Sequence, residues 1–88
     1  MLYTLYYQKR NRDTVVITRS KSLLKLLKIK LVTYGLDTCA FIAAGRERFN
    51  KFDLSADEYA QYSSFKMKVN AGRYFATYDY RQRANEMS

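Results

Sequence analysis

Leu2-Tyr3-Thr4-Leu5-Tyr6-Tyr7-Gln8-Lys9-Arg10-Asn11-Arg12-Asp13-Thr14-Val15-Val16-Ile17-Thr18-Arg19 reads as two strands joined by a basic turn. In residues 2–8, Tyr3, Leu5 and Tyr7 alternate with Leu2, Thr4 and Tyr6, and both sets are good strand formers. Residues 13–19 carry the β-branched run Thr14 to Thr18. Between them lies Lys9-Arg10-Asn11-Arg12, where Asn11 tolerates a left-handed turn conformation. The pattern predicts a hairpin with a cationic tip.

Outward from the hairpin, residues 20–34 read as a helix, with Ser20 as its cap and Gly35 as its left-handed stop. At 100° per residue Leu23, Leu27, Leu31 and Tyr34 share one face, flanked by Leu24 and Leu26. Lys21, Lys25 and Lys28 fall opposite. Lys30 falls inside the apolar arc and must snorkel outward. Residues 38–43 read as a strand buried on both faces. Gly45 supplies the positive φ of a turn, and 46–53 form a more exposed partner strand.

The sharpest local signal is Leu54-Ser55-Ala56-Asp57-Glu58-Tyr59. Ser55 and Glu58 have capping-box spacing, and Leu54 and Tyr59 have that of a hydrophobic staple. A helix is predicted from there to about Asn70, with Gly72 after its end and Tyr59, Tyr62, Phe65 and Val69 on its inner face. A closing strand is predicted over 73–80. The order is β-β-α-β-β-α-β. It implies an α+β two-layer sandwich: a largely antiparallel sheet of about five strands, with both helices on one face.

The 88 residues are expected to form one domain, 1–88, with a frayed tail at 81–88. The Met1 start and polar finish are what a complete small gene product would have. A chain this short buries little surface, and homodimerisation would supplement its stability. A single cysteine allows no internal disulfide, which points to a cytoplasmic protein. Cys39 lies in the apolar run 38–44 and is expected to be buried and inert. No basic segment precedes the apolar residues at the start, as a signal peptide would require. Residues 20–32 resemble a cationic membrane peptide in isolation, but between strands those leucines belong in the core. No membrane partner is expected.

Charge is the main functional signal. Residues 1–36 carry eight Lys/Arg against one acid, a balance of +7, whereas 37–88 carry eight against seven, a balance of +1. Such concentration attracts polyanions. Lys9, Arg10 and Arg12 on the tip, with Arg19, Lys21, Lys25 and Lys28 following, are the candidate contacts to phosphates or to an acidic partner. Lys residues serve equally well as a solvated face. Three cations in one turn favour function, since arginine is the better phosphate fork. A secondary aromatic and basic surface is expected around Arg73, Tyr78, Tyr80 and Arg81, able to stack bases. Core filling is the stronger reading of those tyrosines.

Catalysis is not expected. The chain has no histidine, and one cysteine makes no metal site. No glycine-rich loop precedes a helix, so no phosphate cradle, cofactor or small-molecule substrate is signalled. Asp53 and Asp57 could serve a two-metal nuclease, but capping explains Asp57, and Asp53 lies just before that helix. The predicted function is therefore non-enzymatic nucleic-acid binding through the hairpin tip and helix face. The alternative is an inhibitor that docks its basic surface on an acidic or nucleic-acid-handling host protein, in the host cytoplasm if phage-encoded. In its compact α+β make-up and Tyr and Lys content the chain is similar to small accessory proteins of phages and mobile elements, with no motif behind that likeness.

Overall fold

The structure is a computed structural model that describes residues 1–71. The predicted strand 73–80, Gly72, Arg73, Tyr78, Tyr80, Arg81 and the tail 81–88 lie outside the described residues. The rest is an α+β fold. Strands β1 (Tyr3–Gln8), β2 (Thr14–Ser20), β3 (Ala40–Ala44) and β4 (Glu47–Phe49) form one sheet in the order β2-β1-β3-β4, with every pair antiparallel. Helix α1 (Leu23–Tyr34) packs on the sheet, and helix α2 (Ala56–Asn70) packs beside α1.

β1 lies between β2 and β3, and its two faces have different fates. Cross-strand partners share a face, so Leu5 and Ile42 point the same way. Both are essentially inaccessible and pack with Leu23, Leu24, Leu26, Leu27 and Leu31 of α1 and with Tyr62 and Val69 of α2. This is the core. Thr4 and Tyr6 of β1, with Ala43 and Phe41 opposite them, face the far side. A β-bulge between Leu5 and Tyr6 leaves Ile17 as the extra residue of β2, which puts Val16 rather than Ile17 opposite Tyr6.

The helix boundaries follow local chemistry. α1 starts two residues later than the sequence implies. Ser22, not Ser20, is its N-cap, accepting from the Lys25 N–H at 3.2 Å, while Ser20 Oγ accepts from the Ser22 N–H at 3.0 Å. Ser20 is the last residue of β2, paired with Tyr3, so its backbone belongs to the sheet. Gly35 ends α1 at φ 60°, and its N–H donates to the carbonyls of Lys30 and Leu31. Ser55 caps α2 as expected: its Oγ accepts from the Glu58 N–H at 3.3 Å and donates to Glu58 Oε1 at 3.0 Å. Ser55→Ala should therefore cost about 1 kcal/mol, read as a lowered midpoint in a denaturant titration. An unchanged midpoint would contradict the cap.

Three further expectations are corrected. The partner strand stops at Phe49, because Asn50 and Asp53 exchange side-chain bonds with nearby backbone and wind Lys51–Asp53 into a 3-10 turn. That accounts for Asp53. The inner face of α2 is Tyr62 and Val69 with Phe65 partly buried, while Tyr59 is exposed and stacks on Phe52. Cys39 is exposed. Asp37 accepts from the Cys39 N–H at 2.9 Å, and its carbonyl accepts from the Ala40 N–H, so Thr38 and Cys39 form a turn and β3 begins only at Ala40. Native protein should then react with a thiol reagent at neutral pH as fast as the denatured chain. Marked protection would restore the buried reading.

Candidate nucleic-acid interface

The hairpin tip is built by short-range hydrogen bonds. The Lys9 N–H donates to the Asp13 carbonyl at 2.8 Å, and the Arg12 N–H donates to the Lys9 carbonyl at 3.0 Å. Asn11 is occupied with Asp13: its amide donates to the carboxylate at 2.9 Å, and its carbonyl accepts from the Asp13 N–H at 3.1 Å. The left-handed position therefore falls to Arg12, at φ 71°, and not to Asn11. A residue with a Cβ is strained there by roughly 1 kcal/mol, and glycine is not.

Lys9, Arg10 and Arg12 are all exposed. With Tyr7, Gln8, Asp37 and Cys39 they line one groove of about 750 Å³. Asp37 also accepts from the Tyr7 hydroxyl at 3.1 Å. This bond, then burial, raises the Tyr7 phenol above its ordinary value; burial and then the same carboxylate raise Tyr34, whose ring stacks on Tyr7. Both acids beside the tip thus have partners of their own. Among the described residues none of the three tip cations is in an ion pair.

The other predicted cations do not extend this patch. β2 has 7 residues and leads away from the tip, so Lys21 lies roughly 20 Å from it. Lys21 and Lys25 are exposed around the start of α1. Arg19 pairs with Thr4 and faces the far side of the sheet. The Lys28 ammonium sits 5.3 Å from the Phe65 ring centre, in a hollow shared with Lys68 between the helices. Lys30 is half-buried; loss of hydration lowers its ammonium below the ordinary lysine value, against an opposing pull from Asp37.

The sequence reading missed one cluster. On the far side of the sheet Phe41 stacks on Tyr6, with ring centres 5.3 Å apart and planes 23° apart, and the Arg48 guanidinium carbon lies 4.1 Å from the Phe41 ring centre. Its only sequence signal was the apolar character of both faces of residues 2–8. Among the described residues no group of His, Cys, Asp and Glu could hold a metal ion, and no helix is long and apolar enough to cross a membrane. No protein-family model, no curated protein and no solved structure matches the chain, so the functional reading rests on these residues alone.

Proposed function

We propose that this is a non-enzymatic nucleic-acid-binding protein whose hairpin tip grips phosphates. One observation carries the reading: the turn places Arg12 in the left-handed position that glycine or asparagine fills more easily, beside exposed Lys9 and Arg10. An arginine held against local strain, with no ion pair among the described residues, suits a role outside the fold. Its planar fork matches a phosphate, and Lys9 and Arg10 add point charge. Phosphate contact needs clustered cations and little precision, which a short turn supplies. The same reading keeps a cytoplasmic setting, from the single cysteine.

The test is fluorescence anisotropy of labelled oligonucleotides, titrated with wild-type protein and with the triple variant Lys9→Ala, Arg10→Ala, Arg12→Ala at several salt concentrations. Salt-dependent binding that the triple variant largely loses is expected. A lysate pull-down supplies the counter-test. A protein partner retained after nuclease treatment, with no oligonucleotide binding by the pure protein, would replace this reading with docking on a host protein.

A further inference from the structure

The sheet side away from the helices carries a second kind of chemistry. Antiparallel register sets Tyr6 of β1 opposite Phe41 of β3 and Arg48 of β4 opposite Ala43, diagonal to Phe41 on the same face, although the three are far apart in sequence. Phe41 has the Tyr6 ring on one side at 5.3 Å and the Arg48 guanidinium over it at 4.1 Å. β3 lies between β1 and β4, so the row runs ring, ring, cation across the sheet. Tyr6 and Phe41 are half-buried and Arg48 is exposed. Among the described residues both helices pack on the opposite side.

Among the described strand residues, charge on this side has one sign. Arg19 and Arg48 occupy far-side strand positions, and register places no acid there; Glu47 pairs with Ala44 and faces the helices. The Arg48 guanidinium makes a cation–π contact with Phe41. Its N–H donors have no hydrogen-bond partner among the described residues and remain available to a phosphate. The ring of Tyr6 ends the row on the side of β2, next to its cross-strand partner Val16, which is 43% exposed.

We propose that this face binds single-stranded nucleic acid. A base stacks on the outer face of Tyr6, and Arg48 and Arg19 hold flanking phosphates. The inference deepens the nucleic-acid reading above and rests on it. A ring can meet the flat face of a base only where the strand is unstacked, which a duplex does not permit. The tip is indifferent to strandedness, and this face is not. The tip directly follows β1, which carries Tyr6, so one strand could run from one to the other.

The experiment is anisotropy with labelled oligothymidylate, oligouridylate and a labelled duplex, using the full chain. The variants are Tyr6→Leu, Tyr6→Phe and Arg48→Gln, each with its thermal melt recorded. Wild type should prefer the single strands. Tyr6→Leu should weaken single-strand binding at least about fivefold, the lower end of what one base–aromatic stack supplies. Arg48→Gln should weaken it in the same way, Tyr6→Phe should not, and duplex affinity should stay unchanged in all three. If Tyr6→Leu and Arg48→Gln bind single strands as wild type does, the inference fails, while loss of binding in the tip variant would leave the reading of the tip intact. If wild type binds no nucleic acid, both fail. Hydroxyl-radical footprinting and sedimentation cover the competing occupants. Protection of Tyr6 before nucleic acid is added would mean that the chain itself covers the face. A dimer that Tyr6→Leu splits would mean that a second copy does. Either result overturns the inference.

Discussion

Leu26→Ala should destabilise the fold by about 2–5 kcal/mol, the range for truncating a buried leucine. Leu26 is fully inaccessible and sits at the end of the first turn of α1, within the cluster that joins Leu5 and Ile42 of the sheet to Tyr62 and Val69 of α2. Its removal opens a cavity between all three parts, where neighbours already bonded into ladders and helices collapse poorly. A small domain of 88 residues has a total stability on the order of 5–10 kcal/mol. The variant should therefore lose a large share of it and be partly unfolded near body temperature. Leu36→Ala is the control: Leu36 is 82% exposed and should change little. Urea titrations of both report the difference. A cost below about 1 kcal/mol at Leu26 would mean that α1 does not lie on the sheet as described.

The triple variant Lys9→Ala, Arg10→Ala, Arg12→Ala should have the largest effect on binding. Each phosphate contact contributes roughly 0.7–0.9 to the slope of log K against log salt, so three lost contacts reduce it by roughly 2–3. Near 0.1 M salt that amounts to a weakening on the order of a hundredfold. Single strands and duplexes should suffer alike, and so should different sequences, because phosphates carry little sequence information. The fold should survive. The turn is closed by Asn11, Asp13 and the backbone, and the three substituted side chains are exposed and outside that network. Relief of the positive φ would need glycine at Arg12, so alanine changes charge and leaves the local strain in place. Unchanged affinity and slope in a folded triple variant would mean that the tip cations only hydrate the protein.

Signals spanning a few residues were legible in the chain. Ser55 and Glu58 announced the start of α2, Gly35 the end of α1, and Gly45 the turn between β3 and β4; the structure has each of them. The leucine period of α1 correctly named its buried face, and Lys30 was correctly picked as the misfit. Choices between two nearby candidates were less legible. Ser20 and Ser22 are equally good caps in isolation, and pairing of Ser20 with Tyr3 decided between them. Asn11 is the better left-handed residue, but its side chain bonds Asp13 and Arg12 takes that conformation. Cys39 sits in an apolar run, yet the side chain of Asp37 holds its backbone in a turn.

The sequence by itself determined the basic amino-terminal half, the hairpin with its cationic tip, both helices and the α+β class. These depend on composition, on periodicity and on bonds between near neighbours, which the order of residues specifies directly. Only the tertiary structure decided which cations share a surface. A strand advances about 3.3 Å per residue and a helix 1.5 Å, so a few positions of sequence separate Lys21 from Arg12 by the length of the hairpin. It also assembled Tyr6, Phe41 and Arg48 into one row. That row exists because β3 pairs with β1 on one side and β4 on the other, in a register set by burying Leu5 and Ile42 together. A one-residue slip would turn Tyr6 toward the helices and Leu5 toward the far side, and no local signal in the chain encodes that choice.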